Sequence, residues 1–170
     1  MNTFRRTTVL LASLFCLAFA LAGTPNAQAG TTRASAEDLA RLPKAPLVIE
    51  SAGKRLPFEV WVAATPERRE QGLMFVKALP EKGGMLFLFP VPMSAAFWMK
   101  NTFIPLDLLF VRQNGTIARI AENARPHDLT PLPSGEPVLA VLELAGGSAA
   151  KLGLRTGDRV VSTALRASEQ

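Results

Sequence analysis

Residues 97–121 read FWMKNTFIPLDLLFVRQNGTIARIA, and this stretch decides the fold class. Gln113-Asn114-Gly115 is a hairpin signal, because Asn and Gly tolerate the positive φ of tight turns. The apolar, β-branched residues 106–111 and 116–121 on either side make a strand and its return. Residues 95–101 predict another strand ahead of them. Alternation along 97–102 then places Trp98, Lys100 and Thr102 on one face and Phe97, Met99 and Asn101 on the other. On the next strand, Asp107 shares a face with Leu109 and Val111. An acid on an apolar face needs partners, since burying a lone carboxylate is very costly. Lys100, Asn101 and Thr102 are the nearest in sequence.

The same logic extends outward. Residues 47–51 and 56–63 predict two strands with a turn at Gly53-Lys54. Thr65 can cap a helix, Pro66 suits its first position, and Glu67 and Glu70 favour its positive end; Gly72 can close it. Residues 85–89, wholly apolar, predict a buried strand, and 138–144 another. Residues 148–152 predict a short helix stopped by Gly153. Thr156-Gly157-Asp158 turns into a last strand at 159–164, with Asp158 bonding the turn. Many short strands and two small helices predict an α+β, mostly β domain: compact, antiparallel and partly closed like a barrel.

The N-terminus has the pattern of an export signal. Arg5 and Arg6 precede an apolar run over residues 9–22, which spans only about 21 Å as a helix. That is short of a bilayer core of about 30 Å. Helix breakers follow at residues 23–26, and Ala27-Gln28-Ala29 is a small-x-small cleavage site. Residues 1–29 are therefore expected to leave as a signal peptide, 30–44 to form a flexible tether, 45–166 to form one globular domain, and 167–170 a tail. The expected destination is the periplasm, with the extracellular space or an uncleaved membrane anchor as alternatives. Contact with the membrane is expected only in transit, through the signal. Phe15 before Cys16 argues against a lipoprotein site, and the apolar run after Arg5-Arg6 fits general secretion better than twin-arginine export.

Composition excludes much. The single Cys of the chain is Cys16, so the processed domain has no disulfide, thiolate nucleophile or thiolate metal site. One His, His127, excludes a multi-histidine metal site. Losing Arg5 and Arg6 leaves a mild net charge of +3. No basic ladder, phosphate-binding loop or dinucleotide motif is present, so no nucleic-acid partner and no cofactor are expected.

TPERREQGLMF (65–75), GGMLFLF (83–89), FWMKNTFIPLDLLFV (97–111), NGTIARI, ENARP, VLELAGG and LGLRTGDRV together resemble the bacterial and archaeal family called domain of unknown function 192. The resemblance runs over about residues 45–164 and implies a compact β-rich fold with no established activity. Val76 departs from the pattern, where family members often carry an arginine.

Trp98, Lys100, Asn101, Thr102 and Asp107 are the candidate ligand-binding set: a stacking ring, a cation, hydrogen-bonding groups and an acid. The alternative is a structural network, with Asp107 accepting from backbone amides at the Pro105 bend while Asn101 and Thr102 cap the turn. Met74, Met85, Met93 and Met99 could hold Cu(I) if their sulfurs converged, though Met in apolar runs normally fills gaps. Arg68 and Arg69 could meet an anion and His127 could act as a base, but both positions read first as surface. The expected function is a small binding or accessory module for a small polar molecule, a glycan or an envelope component. The alternatives are a hydrolase-like enzyme using Asp107 with Lys100 or Asn101, and a purely structural envelope protein.

Overall fold

The computed structural model describes residue 39 and residues 41–167. The expected signal peptide and most of the tether lie outside the described residues. Leu39 is buried in the outer cluster and Lys44 already belongs to the first strand, so the described domain includes residues ahead of Ala45.

Seven strands form one sheet: β1 (Lys44–Ser51), β2 (Lys54–Ala63), β3 (Gly83–Phe97), β4 (Leu106–Val111), β5 (Ile117–Ala124), β6 (Leu132–Ala145) and β7 (Arg159–Ser162). Their order is β5-β4-β6-β3-β2-β1-β7. All neighbours are antiparallel except β2 and β3. That pair is parallel because the connection through α1 (Pro66–Gln71) carries the chain back to the same end of the sheet. The sheet curls until its outer strands meet. The Ile117 N–H donates to the Asp158 carbonyl at 2.8 Å, and the Val160 N–H to the Gly115 carbonyl at 2.8 Å. The result is a half-barrel, mostly β, as the sequence predicts. The mixed pairing and a third helix refine that expectation: β7 stops at Ser162, and α3 (Thr163–Ala167) follows α2 (Ser148–Leu152).

Both faces of the central strands are covered. An inner cluster draws on all seven strands and includes Ile49, Val60, Leu86, Leu109, Leu142 and Val160. An outer cluster includes Met85, Phe87, Leu108 and Phe110, and is roofed by Leu73, Val76 and Met99 from loops. Fully burying one such side chain stabilises the fold by about 1.5–3 kcal/mol.

Local structure follows the residue chemistry. The Thr65 hydroxyl accepts the Arg68 N–H at 3.3 Å, capping α1, and Gly72 ends it at φ +49°. A Cβ on Gly72 would lie 3.2 Å from the Phe87 ring. The first hairpin turns on Ala52 and Gly53, both at positive φ, one residue earlier than Gly53-Lys54. Gly84 lets β3 approach β6 closely: a Cβ there would lie 2.4 Å from the Glu143 carbonyl oxygen. Gly84→Ala is expected to cost about 1–3 kcal/mol through overpacking, seen as a lower urea midpoint with an unchanged slope.

Candidate functional site

β6 is flanked by β4 and β3, so residues on both of its faces are covered. At its centre, Glu143 lies opposite Met85 on β3 and Leu108 on β4, both members of the outer cluster. Glu143 is only 4 % exposed. Among the described residues, no hydrogen bond or ion pair reaches its carboxyl group. Burial alone pushes its pKa up from the ordinary 4.5 to about 8, because an apolar surrounding disfavours the charged form.

Glu143 lines a cavity of about 400 Å³. One wall is the C-terminal end of α1 and the residues after it, from Arg69 to Met74. The other comes from the outer half of β3 and the segment after it, including Phe97, Trp98 and Lys100. Phe87 and Phe97 meet edge to face at 4.9 Å between centroids. Trp98, 51 % exposed, stands at the mouth, with the Lys100 ammonium 5.3 Å from its ring. Gln71 also lines the cavity, and its side-chain amide nitrogen is buried beside it without a hydrogen-bond partner.

Two left-handed residues hold these walls together. Phe75 (φ +64°) donates its N–H to the carbonyl of Asn101 (φ +55°) at 2.8 Å. The Asn101 amide also reaches the Met74 sulfur at 3.7 Å. Phe75 then packs edge-on against Phe103. The GLMF and WMKNT stretches are thus two clipped edges of one opening.

This geometry replaces the strand alternation expected over 97–102. β3 ends at Phe97, and a turn follows in which the Thr102 N–H donates to the Met99 carbonyl at 3.2 Å. Trp98, Lys100 and Thr102 line the cavity. Asn101 braces its wall. Asp107 is elsewhere: its cross-strand partner Leu144 belongs to the inner cluster, so Asp107 and Glu143 occupy opposite faces of the sheet. Asp107 is fully buried. Its Oδ1 accepts the N–H groups of Asn123 (2.6 Å) and Gly147 (3.0 Å), and its Oδ2 that of Ala149 (2.7 Å). The acid therefore ties β4 to β5 and to the turn that opens α2. Backbone amides are its partners, but those of 123, 147 and 149 rather than of the Pro105 bend.

The remaining candidates are spread over the structure. Met85 and Met99 are buried in the outer cluster, while Met74 and Met93 line the cavity. Arg69 donates to the carbonyls of Ala64 (2.5 Å) and Leu88 (2.9 Å) and lies over the Phe89 ring. His127 leans on Phe103 at 5.5 Å. Asp158 accepts the Arg155 N–H at 2.7 Å, closing the turn before β7. Among the described residues, no group of His, Cys, Asp and Glu side chains could hold a metal ion, and no helix is long and apolar enough to cross a membrane. Glu143 and Gln71 were not singled out from sequence.

Fold and cavity together define a small half-barrel domain with an aromatic pocket that a buried acid lines. The family model of domain of unknown function 192, described as "Uncharacterized ACR", matches residues 47–162, and the chain belongs to that family. Two solved structures are similar. A candidate transcription regulator from Sinorhizobium meliloti is 41 % identical, with a TM-score of 0.70; the match covers 71 % of this chain and 95 % of that one. A protein of unknown function from Novosphingobium aromaticivorans is 44 % identical, with a TM-score of 0.69, over 71 % of this chain and 86 % of that one. No curated protein matches the chain.

Proposed function

We propose that the protein is a small exported binding module whose pocket, between α1 and the end of β3, takes a small molecule. The observation that carries this is Glu143, an almost fully buried acid with no protein partner, lining a cavity walled by aromatic rings. Apolar pockets with a few convergent polar groups and a displaced pKa are where ligands bind. Trp98 and Lys100 from the WMKNT run supply the mouth, which keeps the aromatic-polar character expected of that run. Asp107 has both oxygens occupied by backbone amides, which leaves a hydrolase built on it without its acid.

The test is a fragment screen on the purified protein, read by thermal shift and by shifts in the amide signals of Phe97, Trp98 and Lys100. Trp98→Ala is expected to leave stability within about 0.5 kcal/mol, as exposed surface positions do. It is expected to weaken binding about tenfold, the usual scale for losing an aromatic contact. Binding of no fragment at these residues contradicts the proposal. The pattern of residues 1–29 supports export, with the periplasm as destination and neither nucleic acid nor membrane as lasting partner. N-terminal sequencing of the exported protein should start at Gly30; a start at Met1 contradicts cleavage.

A further inference from the structure

We infer that the pocket takes a compact, ring-bearing apolar molecule through a carbonyl or carboxylate oxygen, with Glu143 and Gln71 as the hydrogen-bond donors. The inference rests on the pocket being a ligand site, and adds which chemistry that ligand carries.

The buried groups at the cavity offer two unused donors. The Gln71 amide nitrogen is buried and has no acceptor. The Thr102 hydroxyl already donates its O–H to the Lys100 carbonyl at 3.3 Å, so it is not a third donor. Glu143 holds its proton up to about pH 8, so below that pH its carboxyl group offers an O–H. Lys100 adds a cation at the mouth. A carbonyl or carboxylate oxygen accepts from several donors at once and suits this set. An amine would bring further donors and meet the positive charges of Lys100 and Arg69, with only the exposed Glu70 carboxylate to offset them. The apolar body follows from the walls. Phe87 and Phe97 present ring edges and faces inside, Trp98 covers the entrance, and about 400 Å³ holds a molecule of one or two rings. The other titratable groups on the cavity are Arg69 and Glu70 from α1 and Lys100 from the β3–β4 connection. β3 and β4 contribute none to it.

Three probes that do not titrate near pH 8 separate the possibilities: benzoate, acetophenone and phenyltrimethylammonium. Each is added to the purified protein on either side of pH 8, with affinity read from amide shifts at the pocket. The expected result is that benzoate and acetophenone bind. Their Kd should be flat below pH 8 and weaken about tenfold per pH unit above it, as Glu143 loses its proton. Glu143→Gln keeps an N–H donor, so it should bind acetophenone without that pH dependence. Gln71→Leu, at the partly exposed end of α1, should weaken both oxygen probes. If only phenyltrimethylammonium binds, or if the oxygen probes bind more tightly above pH 8, the donor chemistry is overturned while the pocket stands. If none of the three binds, the pocket itself is not a site for such molecules and both claims fall.

Discussion

Glu143→Gln is expected to make the domain more stable than wild type above pH 8 and to flatten its dependence on pH. The sign follows from linkage. The folded-state pKa, at about 8, lies above the ordinary 4.5, so between these values the native state holds a proton that the unfolded state has lost. Stability associated with Glu143 is therefore full below pH 4.5 and falls as pH rises through the window up to about 8. The slope is about 1.4 kcal/mol per pH unit, and the total is on the order of 5 kcal/mol. That is a large share of the roughly 5–15 kcal/mol that keeps such domains folded. Other acids titrate in the opposite sense. Glu136 and Asp128 have lowered pKa values, the first through its hydrogen bond to Arg112, the second through the Thr130 backbone N–H. Subtracting the Glu143→Gln profile from the wild-type one removes them. Urea unfolding at a series of pH values measures the difference. Identical slopes in both proteins contradict the account.

Asp107→Ala is expected to destabilise the domain by several kcal/mol, seen as a much lower urea midpoint. Three backbone N–H groups lose their acceptor, and the side chain they surround is fully buried. An unsatisfied buried donor costs about 1–3 kcal/mol, which applies in full to Ala149; Asn123 and Gly147 are exposed residues whose N–H groups water can reach, so they add less. Asp107→Asn keeps one oxygen and should fall between, folded but with a clearly lower urea midpoint. Far-ultraviolet circular dichroism and urea titration read both variants. A well-folded Asp107→Ala protein with an unchanged midpoint would show that the amides find other partners.

These two acids show how far the sequence could be read. Asp107 was found because an acid interrupts the apolar run of residues 106–111, and the rule that such an acid needs partners is met by three amides. Its true partners lie 16, 40 and 42 residues away in sequence, so nearness along the chain pointed to the wrong group. Residues 138–144 form the same pattern, with Glu143 as the one acid in the run. Applying the rule there would have flagged it. What sequence alone could not supply is that the two acids face opposite sides of the sheet, one satisfied and one unpaired. That depends on the register of β6 against β3 and β4, which is set by long-range pairing.

The strands around the hairpins and α1 are legible because their signals are local: Asn-Gly turns, a Thr cap with Pro after it, a closing Gly. The run from 97 to 102 was not. Its alternating pattern resembles a strand, yet the chain turns at Asn101, whose positive φ is held by the carbonyl bond to Phe75. Trp98 and Lys100 still reach the pocket, but through a turn rather than a pleat. The parallel β2–β3 pair was equally hidden, since nothing in the two strands themselves states their relative direction.

The central claim is that an unpartnered, protonated acid lines the pocket. A carbon-13 NMR titration of the Glu143 side-chain carboxyl tests it without substitution or ligand. The account predicts one transition near pH 8. A transition near 4.5, the ordinary value, would mean the carboxyl group is solvated or paired, and would contradict it.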